Sequence, residues 1–137
     1  MKLLQEDINM ETAELEGQVY EALVTNETLM GMLPNDGNVP VYHHLAPAGD
    51  INRYPILVYT PISDTPVAFG DNLEFMHKVR IRISIVTSDG QYSEINRIIR
   101  QIMTQDLEFK RINTVPVADF EYRKIILNAD YEKIIPA

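Results

Sequence analysis

Residues 73–86 constrain this chain more than any other stretch. Leu73, Phe75, His77, Val79, Ile81, Ile83 and Ile85 fall on one parity, and Glu74, Met76, Lys78, Arg80, Arg82 and Ser84 fall on the other. Successive side chains of an extended strand point to opposite faces. The alternation therefore predicts a strand with one face packed and the other wet or covered by a partner. A strand of this length spans roughly 45 Å, whereas strands average about 5–6 residues. It is expected to outrun the core that 137 residues can build, with its early half projecting as one arm of a long hairpin. Surface scaling lets a chain of 15.7 kDa bury roughly two-thirds of its unfolded surface, enough for one core. Residues 1–137 are thus expected to form a single domain, with 1–10 as a flexible arm.

The alternation breaks at Thr87-Ser88-Asp89-Gly90-Gln91. Tyr92, Ile95, Ile98, Ile99, Ile102 and Met103 then recur at helical spacing. Ser88 and Gln91 have the spacing of a capping box, which would start the helix there. Isoleucine has modest helix propensity, so burial against a sheet must stabilise this helix. Upstream, Leu15, Val19, Ala22 and Leu23 mark a helix over 10–25, in which Gly17 costs about 1 kcal/mol relative to alanine. Leu29, Met32 and Leu33 continue in a short turn that 34–37 stops. Residues 41–44 and 56–59 read as strands, the second bounded by Pro55 and Pro61, with a turn at 47–50 between them. Residues 63–72 read as a loop, and 109–117 and 121–127 as two more strands. The predicted fold class is α+β: a mainly antiparallel sheet of four to five strands, two helices packed on one face, and a long projecting β-hairpin.

The residue inventory removes several chemistries. There is no cysteine, so disulfides, thiolate metal sites and cysteine nucleophiles are excluded; that absence fits a reducing cytoplasm. A net charge of −8 and a pI near 4.8 disfavour a sequence-reading DNA binder. No stretch approaches the ~20 apolar residues of a membrane span, and Met1–Asp7 does not read as a signal peptide. Asn26-Glu27-Thr28 matches a glycosylation sequon, read here as a chance match. No Gly-x-Ser-x-Gly, phosphate-binding or dinucleotide-binding glycine motif occurs. His43, His44 and His77 are the three imidazoles. Adjacent histidines on a strand point oppositely, and so would Glu74 and His77, whose Glu-x-x-His spacing suits a helix. No catalytic, cofactor-binding or metal-ligating residue is therefore expected. Asp119 and Glu121 read as solvated strand-end acids. Lys78, Arg80 and Arg82 read as partners of acids on neighbouring strands, such as Asp119 or Glu121, rather than as a nucleic-acid stripe.

Val41-Tyr42, then Ala46-Pro47-x-Gly49, then Tyr54-Pro55-Ile56-Leu57-Val58-Tyr59 resembles the phage tail terminator, or tail-completion, family. The downstream order of loop, long alternating strand, polar turn and helix extends the resemblance over residues 12–127. It implies an α+β protomer that closes into a ring, expected to be a hexamer, at the head-proximal end of a long phage tail. Such a ring would stop polymerisation of the tube and join it to the head connector. The implied partners are further copies of the chain, the tail tube protein and the head–tail connector protein. DNA would pass through the lumen without specific binding, no membrane would be involved, and the site would be the virion tail–neck junction after assembly in the host cytoplasm. No enzyme activity or cofactor comes with the resemblance.

Two alternatives stay open: another neck or connector component, and a small cytoplasmic α+β ligand-binding module. A pocket between helix 92–103 and the sheet would favour the latter. Loops on rigid scaffolds carry binding, and exposed apolar groups mark association surfaces. The candidate interaction residues are accordingly Asp64, Pro66, Phe69, Gly70, Asp71, Leu73 and Phe75, at the tip of the expected hairpin.

Overall fold

The long alternating segment forms the central strand of a five-stranded sheet. The computed structural model describes residues 11–34, 37–45, 53–71 and 73–136. The expected arm at 1–10, the Ala46-Pro47-x-Gly49 turn, part of the 34–37 turn and the side chain of Phe69 lie outside the described residues.

Helix α1 (Thr12–Val24) buries Leu15, Val19 and Leu23, a stripe at four-residue spacing. Gly17 is exposed on its far side, where an added Cβ would meet nothing within 4 Å. The short helix α2 (Glu27–Met30) begins at Asn26, whose side chain accepts a hydrogen bond from the Leu29 N–H at 2.9 Å. That gives Asn26 an N-capping role. Strand β1 (Val41–His43) runs parallel to β2 (Ile56–Gly70), and β2 pairs antiparallel with β3 (Leu73–Thr87). Helix α3 (Ser93–Gln101) continues into a π-helical turn (Ile102–Asp106) before β4 (Lys110–Asp119) and β5 (Lys124–Pro136). The sheet order is β1-β2-β3-β5-β4, antiparallel apart from the first pair. The fold is the predicted α+β class, with the extra short α2 and a mixed sheet.

The core lies between the helices and one sheet face. Ile95, Ile98, Ile99 and Ile102 pack in one buried cluster with Val79, Ile81, Ile83 and Ile85 of β3 and with Leu15 and Val19 of α1. The other face carries a polar ladder between directly opposed residues of β3 and β5. Arg80 donates to Glu132 at 3.2 Å, Arg82 to Asp130 at 2.8 Å, and the Ser84 hydroxyl to Asn128 at 2.6 Å. Arg80 and Arg82 are thus paired across strands, as expected, but with acids of β5 rather than with Asp119 or Glu121, whereas Lys78 lies opposite Ile134. The reason is register: β5 lies directly beside β3, whereas β4 lies beyond it.

Four local expectations are corrected. The stretch 63–72 is strand as far as Gly70, so β2 has 15 residues. Pro61 and Pro66 are tolerated because β1 pairs with β2 only as far as Tyr59, leaving the rest of that edge without a neighbouring strand among the described residues. Bulges next to Pro61 and Pro66 absorb the remaining irregularity. Secondly, the hairpin projects less than expected. β5 flanks β3 from Met76 onward, so only Leu73, Glu74 and Phe75 extend beyond it. Thirdly, the Ser88–Gln91 capping box does not form. Thr87 Oγ1 accepts from Gly90 N–H and Asp89 Oδ1 from Gln91 N–H, and the helix begins later, at Ser93. Lastly, β5 continues nine residues past the expected end at 127, to Pro136.

Candidate interaction surface

The two hairpins end at opposite ends of the sheet. Met76 pairs with Pro136 and Thr87 with Ile125, so the β2–β3 turn and the β4–β5 turn are separated by nearly the whole length of β3. Both ends carry exposed apolar side chains.

At the β2–β3 end, Leu73 is 72% exposed and Phe75 52%, with Ile62 and Val67 also exposed along β2. Asp71 occupies the turn at φ 50°, a left-handed conformation that Asp tolerates better than most residues. Gly70, Asp71 and Pro66 are exposed, and so is most of this tip. Asp64 behaves differently. Its Oδ2 accepts from the Thr12 hydroxyl at 2.5 Å, and its Oδ1 lies 2.5 Å from His77 Nδ1. Asp64 therefore ties the start of α1 to the hairpin, although its side chain stays exposed. Burial pushes the Asp64 carboxyl up. The hydrogen bonds from Thr12 and His77 and the charge of His77 outweigh it, leaving the pKa below its ordinary value.

Glu74 and His77 do not point oppositely. Glu74 pairs with Phe69 and Met76 with Ala68, so β3 advances two residues where β2 advances one. Phe75 is the extra residue, and this bulge resets the alternation. One ligand-type atom from each of Asp64, Glu74 and His77 falls within 4.8 Å of the others. This carboxylate–imidazole set has the chemistry to hold a divalent cation, although Asp64 is already hydrogen-bonded to both Thr12 and His77. Nothing in the alternation signals the bulge, which is why the spacing argument failed.

His43 and His44 also come together, their ring centroids 3.7 Å apart. His44 adopts φ 68° just past the end of β1, which breaks the strand rule for adjacent residues. His43 stacks on Tyr59 at 4.9 Å between centroids and meets Glu16 at 3.1 Å, joining α1 to the sheet.

At the β4–β5 end, Phe120 is 89% exposed and Tyr122 67%, with Val115 and Val117 exposed on β4. Asp119 Oδ1 accepts from the Glu121 and Tyr122 N–H groups and so shapes the turn. A hollow of about 390 Å³ opens beside it, lined by Ala118, Phe120, Ile125, Arg123 and Lys124 among others. The Lys124 ammonium sits 4.2 Å from the centre of the Tyr54 ring. Sequence reasoning did not single out this end. Its signal was Phe120 and Tyr122 interleaved with charges between two strands, a pattern that reads equally as a strand start.

The ligand-module alternative called for a pocket under α3, but that interface is filled by Ile95, Ile98, Ile99 and Ile102. In the core, the Tyr131 hydroxyl is buried without a hydrogen-bond partner among the described residues, and burial pushes its pKa up to about 12. No helix among the described residues is long and apolar enough to cross a membrane. No protein-family model matches the chain, and no curated protein matches it.

Proposed function

We propose that this chain is a structural assembly protein of a long-tailed phage or prophage, one that forms a ring, caps the tail tube, stops its polymerisation and joins it to the head connector. The observation that carries this reading is the placement of exposed apolar side chains at both ends of one sheet. Leu73 and Phe75 lie at one end and Phe120 and Tyr122 at the other. Exposed apolar groups gathered in this way mark association surfaces. Two different surfaces at opposite ends suit contacts that repeat by rotation, which close as rings. The resemblance carried by Tyr54-Pro55-Ile56-Leu57-Val58-Tyr59 supports the same reading, since these residues lead into and begin β2, the first arm of the long hairpin.

The role requires no catalysis. The polar ladder of Arg80–Glu132 and Arg82–Asp130 has the character of sheet pairing, with its cations neutralised across strands. The net charge of −8 would keep translocating DNA from adhering to a lumen, because DNA is held to protein by neutralising its phosphates. The place of action would be the tail–neck junction of the virion.

The test is electron microscopy of lysates from a phage or prophage whose copy of this chain is deleted. Overlong tubes and full heads without tails support the reading, as does recovery of joined particles when the wild-type chain is supplied. Joined particles of normal tail length in the deletion contradict it.

A further inference from the structure

We infer that the β2–β3 tip of one copy docks on the β4–β5 tip of the next, so that copies associate head to tail along their strands. This inference rests on the ring reading for closure, and on the two tips alone for the contact. β3 has 15 residues, which places the tips roughly 45–50 Å apart. A copy therefore cannot bring its own two tips together, so a contact between the tips joins two molecules.

Charge disfavours a contact between two β2–β3 tips. Residues 62–75 contain three acids, Asp64, Asp71 and Glu74, and no lysine or arginine. Asp64 is hydrogen-bonded to Thr12 and His77, while Asp71 and Glu74 are exposed and make no ion pair among the described residues. Two such tips facing each other would set carboxylates against carboxylates, and like charges brought together across a contact are destabilising. The β4–β5 turn sets two cations, Arg123 and Lys124, against two acids, Asp119 and Glu121, and so does not share the net negative charge of the β2–β3 tip. Arg123 is exposed there and makes no ion pair among the described residues, and it lines the hollow beside Phe120.

The apolar chemistry agrees with the charges. The hollow of about 390 Å³ has an apolar wall formed by Ala118, Phe120 and Ile125. Phe75 and Leu73 are the exposed apolar side chains that an acidic tip would deliver to it. Aromatic side chains from both partners would meet at the centre, with the Glu74 and Asp71 carboxylates approaching Arg123 at the rim, the arrangement of a small apolar core with a charged border. Because the two surfaces differ, the contact is heterologous. It leaves one free tip at each end of any chain of copies until the chain closes.

The test uses two variants of the full chain, each with one tip disabled: Leu73→Asp with Phe75→Asp, and Phe120→Asp with Tyr122→Asp. All four side chains are exposed, and circular dichroism checks that each variant is folded. Sedimentation velocity over a concentration series should show the wild type as oligomers and each variant alone as a monomer. An equimolar mixture of the two variants should give a dimer and nothing larger, because one intact pairing remains. A second pair, Glu74→Arg and Arg123→Glu, should each weaken the wild-type oligomer and restore it when both changes are made in one chain.

A wild type that stays monomeric overturns the inference. So does a single-tip variant that keeps the wild-type mass, or a mixture that yields no dimer. Wild-type copies that grow as open chains without a limiting mass would leave the contact standing and count against the ring.

Discussion

Leu73 and Phe75 share the sequence parity of Val79, Ile81, Ile83 and Ile85, and all six belong to β3. The last four are fully buried, whereas Leu73 and Phe75 are largely exposed. The difference comes from what covers them. From Val79 onward, one face of β3 lies in the same buried cluster as α1 and α3, and β5 pairs alongside. Before Met76 β3 has no β5 partner among the described residues, and the bulge at Phe75 turns the strand out of step with the rest. An alternating pattern tells which residues share a face. It does not tell where the covering elements stop, and that limit divides the part of this strand that stabilises the fold from the part left available to a partner.

The largest loss is expected in the middle of the molecule. Ile98→Ala, which opens space under α3, should cost about 2–5 kcal/mol, read as a shift of the denaturant midpoint. Phe75→Ala at the exposed end should change stability by no more than about 0.5 kcal/mol. Similar losses from the two variants would show that the tip is packed after all.

Arg82→Ala should have the next largest effect, a loss of about 1–3 kcal/mol. It strands the carboxylate of Asp130, which is buried and bonded to two nitrogens of Arg82. Arg82→Lys should recover only part of this, since a lysine cannot reproduce the paired geometry. Chemical denaturation of both variants checks the order.

A smaller effect sharpens the boundary between core and tip, where Asp64 sits. Its carboxyl is held below the ordinary range. Its contribution to stability is therefore fully present above the unfolded carboxylate value near pH 4 and is lost as pH falls through the lower folded value. Melting temperatures of the wild type and Asp64→Asn should differ at pH 7 and converge below about pH 4. A difference that persisted into strong acid would show that the carboxylate charge is not the source.

The one expected gain lies on the exposed face of α1. Gly17→Ala on the exposed face of α1 should stabilise by about 0.5–1 kcal/mol, because nothing occupies the space its methyl group would take. Thermal unfolding monitored at the helical signal would register it.

Much of the core was legible because it depends on periodicity. The spacing of Ile95, Ile98 and Ile102 and the alternation of Val79 to Ile85 both reflect burial against one neighbour, and both were read correctly. What escaped was set by tertiary pairing. The prolines at 61 and 66 suggested a loop, since a proline removes a ladder donor, yet an edge without a neighbour tolerates them. The last strand was expected to end at 127, yet Asn128 and Asp130 continue it, held by Ser84 and Arg82 across the sheet. The joint placement of Glu74, His77 and Asp64 depends on one bulged residue and on the register of two strands. No local pattern encodes either. Of the interaction residues expected at the hairpin, Leu73, Phe75, Gly70 and Asp71 lie at its end, whereas Asp64 is hydrogen-bonded to Thr12 and His77 and Pro66 pairs with buried His77.

We propose that this chain caps a growing tube as a ring, and that the ring assembles through exposed tips that the fold itself does not need. The most direct measurement is the length distribution of tail tubes polymerised from the purified tube protein, imaged by negative stain, with the wild-type chain and with the Leu73→Asp, Phe75→Asp variant. The account predicts short tubes with a ring at one end for the wild type, and overlong uncapped tubes for a variant whose melting temperature is unchanged. Equal tube lengths with and without the wild-type chain would contradict it.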